Sequence, residues 1–380
     1  MKVPSTALVV SLAFVLAACI HNVTDEDGDE AVLLFTGDVL LDRGVRPVAE
    51  RRGIAFLFEA VRPWFDEADA VVVNLECPLT DTPTPVGKQY VFRGDARWAS
   101  ELRRVGVTHA ALANNHTIDQ SRSGLADTYQ NLHEAGIVPL GFGFTPAKRL
   151  APAVVIKKGL RIALFNAVNL PLEGWYPAED APDICQADTE QLANAVEAWH
   201  ASHPHDRIAI VLHWGSEYSL QPSIRQRRAA RRLADAGADL IVGHHPHVLQ
   251  PIDTIGRTLV FYSLGNFVFD QQQPLTRASM MVRVHFGCDG LAAWDTIPVE
   301  IRQNRPVPES FKCQNEATRC SFVLKRNMSA VKCWPIESFF ITLPPVCDRF
   351  PGRSPDMRVR KGTIGTESVM PNVRMRTSNS

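Results

Sequence analysis

Short runs of apolar residues recur along the chain, and five of these runs end in residues that can bind a metal ion. Continuous apolar runs bounded by Gly or Pro are typical of β-strands that are buried on both faces. If these strands are parallel, their carboxyl ends share one edge of a sheet, where open α/β folds bind ligands. We therefore expect the residues after the runs to converge, namely Gly37-Asp38, Asn74-Leu75-Glu76, Asn114-Asn115-His116, His213-Trp214-Gly215 and Gly243-His244-His245-Pro246-His247.

Helical periodicity appears between the apolar runs. Residues 124–135 and 224–236 each predict a helix that is followed by a glycine stop. Residues 188–202 predict a third helix, because Asp188 and Gln191 have the spacing of a capping box. Strand-like runs alternate with these helices from residue 31 to about residue 303, which predicts one α/β layered domain.

The residues that follow the five runs form a consistent set of metal ligands. Asp, Glu, Asn and His without cysteine suit a dication such as Mn, Fe or Zn. Taken singly, each motif has an ordinary alternative: Asp38 as a turn cap, His116 as a surface histidine and His213 as a core histidine. The segment His245-Pro246-His247 is the most specific, because proline stiffens a short turn that presents two imidazoles. Together the motifs predict a metal centre with two ions.

In this order, the motifs resemble those of the CapA family of capsule and poly-gamma-glutamate synthesis proteins, over residues 31–303. The resemblance also includes Arg43 and the segment Ser263-Leu264-Gly265-Asn266-Phe267. It implies a metallo-dependent phosphatase-like fold, an α/β layered sandwich with two central sheets flanked by helices. The first motif, Asp38-Val39-Leu40, lacks the histidine that is usual in the wider superfamily, and Glu76 stands where that superfamily has an aspartate.

The resemblance implies a role for each polar residue at the strand ends. His116 would be the catalytic residue, which protonates a leaving group or stabilises developing charge. His244 occupies a variable position of the family motif and is not expected to bind metal. A dication lowers the pKa of a bound water from 15.7 towards ~7. The metal ligands would be Asp38, Glu76 and His247 for one ion, and Asn115, His213 and His245 for the other.

An anionic substrate is predicted to contact Arg43, Arg93 and Asn266. Guanidinium groups bind phosphate and carboxylate alike, so the two arginines do not distinguish between these substrates. Arg43 has an alternative role as the salt-bridge partner of Asp38 or Asp42.

The overall charge argues against nucleic acid as a partner. Lys plus Arg number 40 and Asp plus Glu number 41, so a formal net charge of −1 creates no field that attracts a polyanion. The basic run at residues 225–232 is interpreted as the solvated face of a helix, with a polyanion-binding patch as the alternative. Hydrophobic residues make up 45% of the chain, which is enough for a sizeable core.

The N-terminal segment predicts export and lipid attachment. Lys2 precedes an apolar stretch at residues 7–18 that is too short to span a bilayer. Leu16-Ala17-Ala18-Cys19 resembles the lipobox of bacterial lipoproteins, in which cleavage precedes the cysteine that receives lipid. We therefore predict a signal peptide at residues 1–18, lipidation at Cys19, an acidic tether up to residue 30, and a lipid-anchored, extracytoplasmic location in the cell envelope. A simple secretion signal is the alternative.

The chain changes character after residue 303. Residues 304–380 are rich in Pro, Ser, Arg and Asn and lack periodicity, which predicts a loosely ordered tail. The tail holds four of the eight cysteines, at positions 313, 320, 333 and 347, and their spacing does not match zinc modules. An oxidising location allows disulfides, but no pairing follows from the sequence.

Three functions remain open. The first is a surface component of capsule or polyglutamate synthesis, export or anchoring, acting with a membrane complex that makes the polymer. The second is a metal-dependent hydrolase of phosphoesters, or of amide bonds in an anionic polymer. The third is a scaffold in which the metal is only structural. The pair Asn115-His116 favours hydrolysis, whereas the missing histidine of the first motif favours the scaffold.

Overall fold

The computed structural model describes residues 30–309, so the predicted signal peptide, Cys19 and the tail cysteines lie outside the described residues. Within this range no helix combines the length and the apolar character needed to cross a membrane. The strands are β1 (Ala31–Val39), β2 (Ala70–Leu75), β3 (His109–Ala111), β4 (Val138–Leu140), β5 (Phe142–Gly143), β6 (Ala153–Lys157), β7 (Leu160–Asn169), β8 (Asp183–Ile184), β9 (Arg207–Trp214), β10 (Leu240–His244), β11 (Ile252–Ile255), β12 (Thr258–Phe261), β13 (Asn266–Val268), β14 (Ala278–Gly287), β15 (Gly290–Arg302) and β16 (Arg305–Pro308).

The first sheet has the strand order β16-β15-β14-β1-β2-β3-β4. Strands β1 to β4 run parallel, and β14, β15 and β16 add an antiparallel extension beside β1. Near the carboxyl end of β1, β13 replaces β14 as the neighbour and pairs Asn266 with Asp38. A later segment of the chain therefore lies beside the first predicted ligand.

The second sheet has the strand order β11-β12-β10-β9-β7-β6. Its four central strands are parallel, and the antiparallel strands β6 and β11 form its edges. Every residue of β9 and β10 is buried, as expected for parallel strands covered on both faces. Strands β5 and β8 form a separate small sheet.

The helices of the described residues are α1 (Arg46–Arg52), α2 (Ile54–Phe58), α3 (Arg62–Glu67), α4 (Trp98–Arg104), α5 (Ser121–Glu134), α6 (Pro146–Leu150), α7 (Thr189–Ser202), α8 (Ile224–Asp235) and α9 (Pro274–Arg277), with a 3₁₀ turn at Glu59–Val61. The capping box predicted for α7 is present, and Gln191 N donates to Asp188 Oδ1 at 2.8 Å. A second capping box, between Ser223 and Gln226, begins α8. The three helices predicted from periodicity are therefore confirmed.

Alternate residues of the strands divide between two apolar cores. Leu33 and Phe35 of β1 pack with Val211 of β9 in the core between the sheets. Leu34 points the other way and belongs to the core that contains helical residues such as Leu125 of α5. Each fully buried side chain of this kind stabilises the fold by about 1.5–3 kcal/mol before entropy is counted. The expected sandwich of two sheets flanked by helices is confirmed.

The expectation of a single sheet edge, which came from the apolar runs alone, is wrong. Strands β1, β2 and β3 belong to the first sheet, whereas β9 and β10 belong to the second. The carboxyl ends of both sets nevertheless lie at the same end of the sandwich. This is shown by the distance of 3.4 Å between Asn74 Nδ2 in β2 and His213 Nδ1 in β9. The predicted ligands therefore converge across two facing sheets.

The folded domain extends past the predicted boundary at residue 303. Strand β16 pairs antiparallel with β15 and forms the edge of the first sheet, so residue 304 is too early a start for the tail. An edge strand tolerates Pro306 and Pro308, because its outer backbone N–H groups need no partner within the sheet. Looseness of the residues after 309 stays a prediction, since they lie outside the described range. Within that range Cys77 and Cys185 are buried, Cys288 is exposed, and all three are free thiols.

His109, the first residue of β3, is predicted to make stability depend on pH. Burial, with the nearby charge of Arg103, lowers the pKa of His109 from 6.5 to about 4. As pH falls, the unfolded chain takes up a proton near its ordinary pKa while the folded chain stays neutral, so the native state loses stability across this interval. We expect His109→Gln to remove about 3 kcal/mol of this loss between about pH 7 and about pH 4. The free energy of unfolding of both proteins, measured with urea at several pH values, tests this expectation. Parallel curves of that free energy against pH would contradict it.

Candidate metal centre

Three of the predicted ligands meet at the end of the sandwich. Asp38 lies near the end of β1, Glu76 follows β2 directly, and His213 lies near the end of β9. One ligand atom from each residue lies within 4.8 Å of the other two, and all three side chains are buried. This grouping differs from the expected division, which placed His247 with Asp38 and Glu76 and placed His213 at the other ion. We call Asp38, Glu76 and His213 the inner cluster.

A second group lies beside the inner cluster and reaches the surface. It consists of Glu217, His245 and His247, whose ligand atoms also lie within 4.8 Å of one another; Glu217 is exposed and both histidines are buried. The ring centroids of His213 and His245 are 4.8 Å apart, and His247 Nδ1 lies 3.1 Å from Asp38 Oδ2. We call Glu217, His245 and His247 the outer cluster, which is adjacent to the inner one.

Asp38 is held by neighbours on several sides. Its Oδ1 accepts a hydrogen bond from Asn74 Nδ2 at 2.9 Å and lies 3.0 Å from His244 Nδ1. Burial alone would raise the pKa of Asp38, but hydrogen bonds with His244 and His247 hold this pKa well below its usual value. Asp38 is therefore ionised at neutral pH. His244 contacts Asp38 but belongs to neither cluster, and its lack of a role as a ligand stays a prediction.

Glu76 has chemistry that fits a bound cation. Its side chain is fully buried, and its Oε2 has no hydrogen-bond partner among residues 30–309. Burial, followed by the nearby charge of Asp38, raises the pKa of Glu76 well above its usual value. A positive ion between the two carboxylates would offset this repulsion and occupy the orphaned oxygen. The donor set of carboxylates and imidazoles therefore fits a dication such as Mn, Fe or Zn.

The histidines of the two clusters differ in charge. His213 Nε2 lies 2.8 Å from Asn115 Oδ1 and 3.4 Å from Glu76 Oε1, so His213 contacts ligands predicted for both ions. Burial lowers the pKa of His213 well below its usual value, and burial with the charge of His247 lowers the pKa of His245 to about 3. Burial would also lower the pKa of His247, but the charges of Glu76 and Asp38 raise it to about 9. His213 and His245 are therefore neutral and keep a lone pair for a metal ion, whereas His247 would release a proton on binding one.

Two glycines permit close approach of the backbone at the site. A Cβ atom on Gly37 would lie 2.2 Å from Gly265 O, and one on Gly243 would lie 2.1 Å from Tyr262 O. Both obstacles are backbone atoms in packed strands or loops, so they cannot move aside as a flexible side chain can. Glycine is therefore required just before Asp38 in β1 and within β10.

His116 lies beside Asn115 and outside both clusters. Its Nδ1 is 2.9 Å from Asp119 Oδ2, and its ring stacks on Phe92 with the centroids 4.2 Å apart. Lys88 Nζ lies 2.5 Å from Asp119 Oδ1 and donates to Asn115 O at 2.6 Å. Burial lowers the pKa of His116 despite its pairing with Asp119. The result is an oriented imidazole that can move a proton at its other ring nitrogen.

The predicted substrate residue Arg43 pairs with Asp270. Its Nη2 lies 2.6 Å from Asp270 Oδ1, so the alternative salt bridges with Asp38 or Asp42 are wrong. The Arg43 side chain keeps 38% of its surface exposed, and its guanidinium carbon lies 5.6 Å from the centroid of the Phe92 ring. Arg43 therefore lies next to the ring that stacks on His116.

The side chains of Arg93 and Asn266 make hydrogen bonds within the protein. Arg93 Nη1 donates to Thr80 O at 2.9 Å. Asn266 Nδ2 donates to Thr276 O at 3.0 Å, and Asn266 Oδ1 lies 2.9 Å from His247 Nδ1. A backbone carbonyl only accepts, so this arrangement fixes the amide oxygen towards His247. Asn266 therefore orients a predicted ligand, and contact of either residue with substrate stays a prediction.

Several residues of the site were missed by reasoning from the sequence. Asp119 carries a signal, because it is the third residue after His116 in the same loop. Glu217 is the fourth residue after His213, and an acid so close to a predicted ligand could have been noticed. Lys88 carries no such signal, because a lone lysine is usually a surface residue.

Two sheets with carboxylates and imidazoles at the strand ends define a layered α/β protein with a candidate metal centre. The profile of the family described as "Bacterial capsule synthesis protein PGA_cap" matches residues 32–271, and the chain belongs to this family. The resemblance to CapA proteins is thereby confirmed.

Two relatives and one solved structure illustrate the similarity. The "PGA biosynthesis protein CapA" of Bacillus subtilis (strain 168) is 34% identical over 281 residues, which cover 72% of each chain. The "Capsule biosynthesis protein CapA" of Bacillus anthracis is 31% identical over 296 residues, covering 75% of this chain and 71% of the relative. The 5'-nucleotidase precursor of Thermus thermophilus is 16% identical, covers 73% of this chain and 56% of its own, and has a TM-score of 0.44.

Proposed function

We propose that this protein acts in the synthesis or export of a capsular anionic polymer such as poly-gamma-glutamate, outside the cytoplasmic membrane. Family membership carries this proposal, and the names of the two Bacillus relatives support it. The segment Leu16-Ala17-Ala18-Cys19 supports attachment to the membrane through lipid on Cys19. The partners are then the polymer itself and the membrane proteins that make or export it.

We also propose that the site holds two divalent metal ions. Asp38, Glu76 and His213 would hold one of them, with Asn115 beside His213, while His245 and His247 would hold the other. When bound, such ions supply Lewis-acid activation of water and of a substrate oxygen. Glu76 Oε2 supports this assignment, because it has no hydrogen-bond partner among residues 30–309 and a buried carboxylate oxygen without a partner is costly.

Hydrolysis of an anionic substrate is the chemistry that we propose for this site. His116 belongs to neither cluster, and its contact with Asp119, which is paired with Lys88, supports a role for His116 in moving a proton. A scaffold with a purely structural metal does not need such a histidine, which is why we favour an enzyme. Arg43 has the charge to bind a carboxylate of the polymer or a phosphate.

Gene deletion and complementation test the proposed role. We expect deletion to abolish surface polymer, measured as the glutamate released by acid hydrolysis of washed cells, and the wild-type gene to restore it. In the same strains, a fatty-acid label should mark the wild type but not Cys19→Ala, which should restore less polymer. Cys288→Ala, which changes an exposed cysteine of the described domain, is the matched control and should behave as wild type.

Two results would count against these proposals. Full polymer in the deletion strain would remove the role in capsule synthesis. Equal labelling of wild type and Cys19→Ala would remove the lipid anchor.

A further inference from the structure

The loop after β9 carries Glu217 next to the turn that contains His245 and His247. Tyr218 N donates to Pro246 O at 2.8 Å, which ties the loop to this turn. The ligand atoms of the outer cluster already lie within 4.8 Å of one another. Ligand atoms that share one ion through bonds of about 2.1 Å are roughly 3–4 Å apart, so a small movement of the exposed Glu217 side chain closes the cluster around an ion.

Both histidines of the outer cluster present a ring nitrogen that the described residues leave unused. Asn266 Oδ1 faces His247 Nδ1 at 2.9 Å and can only accept, so Nδ1 carries the hydrogen and Nε2 is the nitrogen open to a metal. His245 is 7% exposed, and its Nδ1 is buried with no hydrogen-bond partner among residues 30–309. A buried nitrogen without a partner is costly, and a metal ion would supply that partner.

We propose that Glu217 is a ligand of a second, solvent-accessible metal ion, which it binds together with His245 and His247. This inference rests on the proposed function of the site as a two-ion centre. Three protein ligands leave coordination positions for water or an anionic substrate, as in open metal sites. The inner cluster is closed by comparison, because Asp38, Glu76 and His213 are at most 1% exposed. The outer ion therefore exchanges first when a chelator is added.

The other role for Glu217 is that of a solvated carboxylate that only balances the charge of His247. Glu217→Gln removes both the charge and the strong ligand, so it cannot separate the two roles by itself. Glu217→His restores a ligand atom without restoring the negative charge. Recovery of the ion by Glu217→His, but not by Glu217→Gln, therefore distinguishes ligation from charge balance.

Titration of the full, metal-stripped chain with Co²⁺ tests this assignment, followed by visible absorption and by equilibrium dialysis. We expect the wild type to bind two ions. Glu217→Gln should keep the tightly bound ion and weaken the second by at least ~10-fold. Glu217→His should recover the second ion with a changed absorption spectrum. Glu134→Gln, the same change at the far end of α5, is the matched control and should bind as wild type.

Each contrary outcome identifies which proposal fails. If Glu217→Gln binds both ions with wild-type affinity, or if Glu217→His binds no better than Glu217→Gln, Glu217 is not a ligand. If Glu134→Gln weakens the second ion as much as Glu217→Gln does, the effect is one of general charge and the assignment falls. A wild-type chain that binds one ion removes only the outer site, whereas a chain that binds none removes the proposed metal centre as well.

Discussion

His213→Ala should lose the inner metal ion and leave the folded chain with at most one ion. His213 is 1% exposed, and its Nε2 lies 3.4 Å from Glu76 Oε1 and 2.8 Å from Asn115 Oδ1. Alanine removes this ligand atom and leaves the carboxylates of Asp38 and Glu76 facing each other in a buried space. We expect the affinity for the inner ion to fall by at least ~10²-fold, measured by elemental analysis after dialysis.

Two other histidines provide controls for this experiment. His244 Nδ1 lies 3.0 Å from Asp38 Oδ1, but His244 belongs to neither cluster, so His244→Ala should still bind both ions at saturating metal. His285 lies on β14, where it contacts Glu30. His285→Ala is therefore a control for the general effect of replacing a histidine by alanine. Full metal content in a folded His213→Ala protein would count decisively against the inner cluster as a metal site.

His116→Gln should lower hydrolysis by at least ~10²-fold while metal content and thermal stability stay nearly unchanged. Glutamine keeps a polar side chain of similar length, but it cannot carry a proton between substrate and water. His116 lies beside Asn115 without belonging to either cluster, so both ions should remain bound. Initial rates with bis(p-nitrophenyl) phosphate and with poly-gamma-glutamate, at saturating Mn²⁺, measure the effect on each bond type.

The result for His116→Gln separates an enzyme from a scaffold. His285→Gln is the matched control, because it makes the same replacement on β14 and should keep the wild-type rate. If the wild type hydrolyses neither substrate and His116→Gln restores full polymer in the deletion strain, the scaffold replaces the enzyme. If His116→Gln hydrolyses both substrates at the wild-type rate, His116 has no catalytic role. If only one substrate is affected, the reaction is assigned to that bond type.

Some elements of the fold were predictable because their signals are local. The helix α7 follows from Asp188 and Gln191, whose capping hydrogen bonds join residues that are close in sequence. Strand β13 was missed, because its three residues form a strand only through pairing with distant β1. Strand β16 was missed because its two prolines resemble a loop, and only the neighbouring β15 makes it a strand.

The sequence predicted which residues belong to the site better than it predicted which residues contact one another there. Asp38, Glu76 and His213 follow buried apolar runs, and the structure brings them together. The partner of Arg43 was not predictable, because the nearby Asp42 is an equally good partner on sequence grounds. The structure pairs Arg43 with Asp270, at a distance of 2.6 Å between atoms of residues far apart in the chain.

The sequence by itself determined the buried apolar strands, the capped helices and the type of residue at the ends of those strands, because these depend on neighbours within a few positions. Only the tertiary structure decided how those ends meet. The packing of two sheets face to face brings His213 against Glu76 and leaves Glu76 Oε2 with no hydrogen-bond partner among residues 30–309. The loops after β2 and β3 also meet, which puts Lys88 beside Asp119. Such contacts join residues that are distant in sequence, and their strength comes from burial, which belongs to the folded chain and to no single segment of it.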